Sequence, residues 1–369
     1  MFSILELERK VVATELCTNC GSCQGMCPYW KSEKGRTFVD YECDRNEGRC
    51  KYFCPRMPAD LDALRKKFFA DEDYLPEIGP FRGLYLTQAA DSEIRKNAQH
   101  GGTMTALIKL ALEEGFIDSA VLSKASEENG TLNPEGCLVS DPADVIKCSG
   151  SSFQIPNSMA VLNKALDEGK FSRIGVVGTP CKTLAAYKMK SKPFAENDNN
   201  ADNIGMVFGL FCGWGLDWEG MAKFGEAAHV DILPGKYHRM DADDKQIDLD
   251  EVLPLVRENC KYCYDMTAEF ADLSVGGARS AEGWDVDKKW NQLIIRSKKG
   301  EELFKLAVEK GILNVRDFGG NGTEGALAKL KAASESKKSK AVKAIAEKTG
   351  TADNLLYLEP SRDIFGKYL

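Results

Sequence analysis

From about Arg82 onward the chain alternates segments of helical period with short apolar runs. Met104, Leu107, Leu110 and Ala111 share one helical face between Gly101-Gly102 and Gly115. That spacing predicts a helix closed by a glycine cap, with a strand next over the run AVLS. Further strands are predicted at Ile174 to Val177, Ile204 to Phe211, Ala271 to Val275 and Gln292 to Arg296. The first two end in turns carrying glycine, proline or cysteine, and the last leads into the helical segment EELFKLAVEK. Strands alternating with helices predict an α/β fold on a mixed, largely parallel sheet. The stretch Gly325 to Lys348 is rich in Ala and Lys with blocky charge, and reads as a helix on the solvated surface. No repeat of solenoid period is present.

Before Arg82 the pattern is different. Cysteines are dense up to residue 69, and an acidic, proline-containing segment, ADEDYLPEIGP, follows from Ala70 to Pro80. The expected organisation is a small domain over 1–69, a linker over 70–81 and an α/β domain over 82–369. A chain of 369 residues accommodates this, since single cores stop growing near ~250–300 residues.

Composition narrows the function classes. With 43% hydrophobic and 28% charged residues the chain is globular, and 49 Lys+Arg against 56 Asp+Glu gives −7, which argues against a nucleic-acid partner. The run Gly205 to Leu216 is too short for a membrane span of ~18 residues. The opening MFSILELERKVVATEL interrupts its apolar residues with charges, so it is not read as a secretion signal, and the expected location is the cytoplasm. Seven of the thirteen cysteines fall within the first 54 residues. An odd, front-loaded set in a reducing compartment points to metal rather than disulfides.

Cys17, Cys20, Cys23 and Cys27 stand as C-x2-C-x2-C-x3-C-P. This is the iron–sulfur run of bacterial ferredoxins, in which three thiolates hold one 4Fe-4S cluster and the fourth reaches the other. Zinc would sooner use paired C-x2-C knuckles without the trailing Cys-Pro. A half-motif follows with Cys43, Cys50 and Cys54 before Pro55. By the crossover rule Cys54 completes the first cluster, leaving Cys27, Cys43 and Cys50 for a second. Three thiolates leave three readings open: a 3Fe-4S cluster, a 4Fe site completed by a carboxylate such as Glu47 or Asp44, or a half that supports the fold alone.

A second set lies in the α/β region. Thr179 and Pro180 are placed as N-cap and first helical residue, which puts Cys181 at a helix N-terminus where a thiolate is favoured. Cys212 ends the next strand, and Cys260 and Cys263 form a C-x2-C pair. These four can converge beyond the carboxyl ends of the strands, where open α/β sheets place their sites. The alternative for Cys181 and Cys212 is that of small buried hydrophobes. Cys137 and Cys148 have no cysteine near them in sequence and read as structural. His100, His229 and His238 are too scattered for a metal motif.

Several strings occur in one order: EIRKNAQHGGTMTALIKLALEEGFID, GTPCK, GLFCG, CKYCYDMTAEFADLSVGG and GWDVDKKWNQLIIRSKKGEELF. Together they resemble the coenzyme F420 hydrogenase/dehydrogenase beta-subunit family over roughly residues 82–312, with a ferredoxin-like module in front. The resemblance implies an FAD in the α/β domain, a 4Fe-4S cluster on Cys181, Cys212, Cys260 and Cys263, and a binding place for reduced coenzyme F420 over the flavin. Gly101, Gly102, Thr103 and Thr105 then open a helix N-terminus that a cofactor can approach, and Gly178 and Thr179 flank the flavin from the next strand end. The turn Gly276-Gly277 is a third candidate. Two strings depart from the family pattern: Lys182 stands where a glutamine is common, and CSGSSFQIPN where a Ser-Lys-Tyr segment is common.

The function implied is an FAD and iron–sulfur oxidoreductase subunit. It exchanges a hydride between coenzyme F420 and FAD and passes single electrons through its clusters to a partner subunit or soluble carrier. Three other readings stand beside it. The hydride donor can be NAD(P)H, although no G-x-G-x-x-G fingerprint supports that. The flavin can reduce a bound organic substrate, as in similar reductases of chlorophyll-type molecules. Or the chain can be a flavin-free electron relay.

Overall fold

The computed structural model describes residues 2–128, 131–151, 153–193, 200–221, 230–233, 236–239, 246–351, 354–361 and 368. Two hairpins precede the main sheet: β1 (Trp30–Glu33) with β2 (Arg36–Val39), and β3 (Asp73–Leu75) with β4 (Gly79–Phe81). The main sheet is built from β5 (Gly83–Ala89), β6 (Ser119–Glu128), β7 (Thr131–Val139), β8 (Ile174–Gly178) and β9 (Ile204–Leu210). A three-stranded sheet of β10 (Val230–Leu233), β11 (Lys236–Arg239) and β12 (Gln246–Asp248) follows. The main sheet is then completed by β13 (Leu273–Gly277), β14 (Asn291–Ile295) and β15 (Leu313–Arg316).

Its order is β15-β5-β14-β13-β9-β8-β6-β7. The four central strands β13, β9, β8 and β6 are parallel, and antiparallel pairs close both sides. The sequences IGVVG and IGMVFGL explain the centre, because strands covered on both faces read as nearly continuous apolar runs. Helices Thr103–Glu113, Ser158–Glu168 and Pro180–Lys190 make the crossovers. The predicted mixed α/β sheet is therefore present; four of the five expected strands lie within two residues of their predicted limits, while the one expected over AVLS runs on to Glu128 as β6.

The first 69 residues share one core with the sheet. Ile4, Leu7, Trp30, Phe53 and Phe69 pack in the same cluster as Leu166, Tyr187, Phe270 and Leu358. The cysteine loop is pressed onto the helix Ser158–Glu168, where Met159 N donates to Cys20 O at 3.0 Å and Asn163 Nδ2 to Gln24 O at 2.6 Å. Gly21 and Gly25 are required here: both have positive φ, and a Cβ on them would stand 2.4 Å from Asn157 O and 2.3 Å from Ala160 O.

Two expectations are corrected. Ala70 to Pro80 is not a bare connector, since it forms β3 and β4 and is tied to the sheet. The buried Arg296 donates to Ile78 O at 2.6 Å and Pro80 O at 2.8 Å, so these carbonyls are satisfied inside the fold. Nor is the Ala/Lys-rich stretch a solvated helix. It forms the 28-residue helix Gly322–Thr349, whose Ala326, Leu330, Ser334, Lys338, Ala341 and Ile345 are buried along one side. The stripe is hidden in the sequence because a serine and a lysine occupy it; Lys338 is covered because it pairs with the buried Glu269. No helix among the described residues is long and apolar enough to cross a membrane.

Candidate redox site

The four cysteines of the α/β region meet at the carboxyl edge of the sheet. Cys181 lies in the first turn after β8, with Thr179 and Pro180 at the N-cap and first helical positions. The Thr179 hydroxyl lies 3.3 Å from Cys181 Sγ and caps no backbone amide. Cys212 follows β9, and Cys260 and Cys263 come from the turn at Glu258–Lys261, with Cys263 N donating to Cys260 O. Gly215 N donates to Cys260 Sγ at 3.2 Å and Asn259 Nδ2 lies 3.6 Å from it.

The electrostatics follow from burial and mutual proximity. Burial raises the Cys212 thiol, and Cys260, Cys181 and Cys263 add to it. Burial likewise raises Cys181 and Cys260, so it outweighs the helix N-terminus expected to favour a Cys181 thiolate. At Cys263 burial is overcome by Lys337 and Arg56, and the thiol is lowered. Lys337 Nζ also donates to Cys212 O at 2.7 Å.

The N-terminal motif closes into a second set. Burial pushes Cys23 well up, with Cys17, Cys20, Cys54 and Cys50 adding to it, and Cys54 is pushed up to about 12 by burial and then Cys20. Asn19 N and Arg56 N lie 3.4 Å from Cys17 Sγ and Cys54 Sγ, as donors to ligand sulfurs would. Cys50 is raised by burial with Cys27 contributing, and Ser3 Oγ is 3.6 Å from its sulfur. Cys43 packs at the rim of the shared core. Glu47 is turned away to the Tyr52 hydroxyl at 2.5 Å and the Lys51 ammonium at 3.7 Å, an arrangement that disfavours it as a ligand. No three ligating side chains among the described residues close to the spacing of a single ion.

The two sets adjoin. Cys20 contributes to the raised Cys181 thiol, and three buried or half-buried cations stand around the junction. Arg56 donates to Tyr262 O and Asn259 O, stacks 4.5 Å from the Tyr357 ring, and is held charged by Tyr357 and by Cys263, Cys181 and Cys260 against the cost of burial. Lys188 Nζ donates to Cys54 O at 2.6 Å and Met57 O at 2.9 Å. Arg56, Lys188 and Lys337 were not singled out in the sequence. Their only signal is position: two residues after Cys54, two helical turns after Cys181, and within the Lys-rich helix.

Beside the inner set a cavity of about 360 Å³ opens at the ends of β8, β9 and β13. Gly102, Thr103, Thr105, Gly178 and Thr179 all line it, as do Gly276 and Gly277. Gly101 does not. It sits behind the wall, where a Cβ would meet Asn291 Oδ1 at 2.9 Å and Thr87 O at 3.0 Å. Gly102, at φ +76°, opens the helix, and Thr103 turns its hydroxyl inward to Thr87 Oγ1 at 2.9 Å. A Cβ on Gly178 would stand 2.5 Å from Lys182 Cβ, so this glycine makes room for the lysine stem. Lys182, 3% exposed, lines the cavity. Burial lowers it, while Cys181, Cys20 and Cys212 draw it back up. His100 lines the cavity at Gly277, a placement the sequence did not signal. The departing string around Ser151 also faces it, although Ser152, like His229, lies outside the described residues.

A cavity of this size, with glycine walls, one helix N-terminus and the buried Lys182, fits an anionic or carbonyl-bearing planar cofactor. Family models of the coenzyme F420 hydrogenase/dehydrogenase beta subunit match the chain, the N-terminal part at residues 84–169 and the C-terminal part at 171–320. An uncharacterized protein of Methanocaldococcus jannaschii is 30% identical over 355 residues, covering 85% of this chain and 92% of that one. The coenzyme F420 hydrogenase subunit beta of Methanothermobacter thermautotrophicus is 29% identical over 279 residues, covering 73% and 95%. Among solved structures, a chain of the F420-reducing [NiFe] hydrogenase complex from Methanosarcina barkeri superposes with TM-score 0.66 at 24% identity, covering 74% of this chain and 94% of that one, and shares the fold. The chain belongs to the coenzyme F420 hydrogenase/dehydrogenase beta-subunit family.

Proposed function

We propose that this family member is an electron-converting subunit that exchanges a hydride with coenzyme F420 and delivers single electrons to a partner. The observation that carries the reading is continuity: the cavity wall includes Cys212 and Lys182, the inner four cysteines adjoin it, and Cys20 of the N-terminal set adjoins Cys181. FAD would be held by Gly102, Thr103, Thr105, Gly178, Thr179, Gly276 and Gly277. 4Fe-4S clusters would be held by Cys181, Cys212, Cys260 and Cys263, and by Cys17, Cys20, Cys23 and Cys54. Cys27, Cys43 and Cys50 would hold a further cluster. When bound, the flavin supplies the exchange between two-electron and one-electron chemistry, and the clusters carry electrons singly.

The chain's own residues set the conditions for this. Gly102 lets the backbone at the start of the helix Thr103–Glu113 face the cavity without a side chain in the way. Lys182 presents a positive charge to the same space, where a developing negative charge is stabilised more strongly than in water. Arg56, Lys188 and Lys337 offset the negative charge that clustered thiolates bring into a buried region. Gly215 N, Asn19 N and Arg56 N supply donors that hold ligand sulfurs in place.

The test is anaerobic preparation followed by counts of iron, sulfide and flavin, then mixing with reduced coenzyme F420, NADH and NADPH in separate reactions. Bleaching of the flavin by reduced F420 and not by the nicotinamides is expected. Intact flavin that none of the three bleaches refutes hydride entry, and purified protein that takes up no flavin refutes the cavity assignment.

A further inference from the structure

Cys137 and Cys148 belong to neither cysteine set, and the sequence pairs them with nothing. In the fold their sulfurs lie 3.4 Å apart. Cys137 sits on the edge strand β7 opposite Leu122 of β6, and Cys148 ends the short 3₁₀ turn Pro142–Cys148. Both are half-buried, and Cys148 lines the cavity next to Ser149 and Thr105. A disulfide needs its sulfurs at ~2.05 Å, so closure requires an approach of about 1.4 Å between two side chains already in contact. The two sulfurs are within hydrogen-bonding distance, and either thiol can donate to the other. A thiolate on Cys137 accepts from the Cys148 thiol and feels the nearby Lys124, so the first proton leaves more readily than from a lone cysteine and the second is held far more tightly.

We propose that Cys137 and Cys148 form a redox-active dithiol in the cavity wall, whose reaction partner is a small-molecule disulfide. Cys148, the member that faces the cavity, passes its proton to the Cys137 thiolate 3.4 Å away, attacks one sulfur of the disulfide as the thiolate, breaks its S–S bond and releases one thiol. Cys137 then attacks Cys148 Sγ in the mixed disulfide and releases the second thiol. Two cysteine thiols are oxidised to one disulfide, one small disulfide is reduced to two thiols, and the two cysteine protons end on the released thiols. The cross-link ties the 3₁₀ turn to β7 and with it the wall segment Ser149-Gly150 that follows Cys148.

The inference uses the cavity wall and not the occupant, so it stands or falls apart from the flavin assignment. The anaerobically prepared holoprotein is equilibrated with oxidised glutathione, alkylated and mapped by peptide mass spectrometry. The expected product is one intramolecular link between Cys137 and Cys148. In Cys137→Ser a glutathione adduct should persist on Cys148. In Cys148→Ser, glutathione uptake at Cys137 should fall about tenfold, because that thiol does not face the cavity. Separate glutathione adducts on both cysteines of the wild-type protein, or no reaction at either, overturn the proposal without reference to any variant.

Discussion

Lys338→Met probes how the Lys-rich helix is held against the site. Lys338 is wholly buried and its partner Glu269 nearly so, with side-chain exposures of 0% and 7%. Burial raises the Glu269 carboxyl from 4.5 to about 7, with Lys338 working against that rise. A raised carboxyl binds its proton more tightly in the folded state than in the unfolded chain. The stability it contributes is therefore complete below about 4.5 and is lost as pH rises through about 7. At 1.36 kcal/mol per pH unit that loss amounts to about 3 kcal/mol. Without Lys338 the opposing cation is gone, and the carboxyl stays protonated to higher pH. The variant should thus match the wild type near pH ~6 and fall behind by about 2 kcal/mol near pH ~8.5, a melting shift of roughly 2–4 °C for a chain of this size. Thermal unfolding of both anaerobic proteins across this range reads it. A deficit of equal size at both ends refutes the ion-pair account and leaves only lost packing. The double variant Glu269→Gln with Lys338→Met should recover most of the deficit, since a buried pair exchanged for uncharged groups is often neutral.

Three further outcomes follow from the site. Cys181→Ser and Cys23→Ser should each remove one cluster's iron and sulfide and leave the remainder, by metal and sulfide analysis; equal total loss in both would mean that the sets do not bind independently. Arg56→Gln should leave the iron content unchanged while making both adjoining clusters harder to reduce, because a buried positive charge between them is removed. Redox titration followed by electron paramagnetic resonance checks this, and unchanged midpoints would count against a shared cation. Gly276→Val places a Cβ 2.1 Å from Phe211 Cδ2 on the cavity wall. The displaced ring should weaken flavin retention by about ten- to a hundredfold, for an overpacking cost of about 1–3 kcal/mol, and equilibrium flavin binding to the stripped protein measures it.

The legible parts of this chain were those with a local signature. The central strands declared themselves as apolar runs, and the C-x2-C-x2-C-x3-C-P spacing predicts a compact loop that the structure gathers with Cys54. Cys181 and Cys212 were placed correctly at strand ends because a turn follows each strand. Illegible were the partners made by tertiary contact. Cys137 and Cys148 are eleven positions apart and meet only because β7 and the following turn fold back on each other. Lys338 reads as a surface residue until Glu269 is brought opposite it, and Lys188 does so until its ammonium reaches Cys54 O. The glycine pair Gly101-Gly102 reads as one helix opening that a cofactor can approach, yet Gly101 is packed against Thr87 and Asn291.

The shared core decides how the two cysteine sets relate in time as well as in space. A ferredoxin module on a loose tether would dock and undock, and electron passage would wait on that encounter. Here Leu7, Trp30, Phe53 and Phe69 are buried in the same cluster as the sheet's helices, at 2%, 2%, 2% and 3% exposure. Re-exposing four such side chains costs about 6–12 kcal/mol, at 1.5–3 kcal/mol each. That is comparable to the whole stability of a typical domain. Separation of Cys20 from Cys181 therefore amounts to unfolding, and the juxtaposition of the cavity, the inner cysteines and the N-terminal cysteines is a fixed feature of the native state. Under the proposed electron transfer, docking of a partner would take place beyond this unit, on the side of the half-buried Cys27 and Cys43.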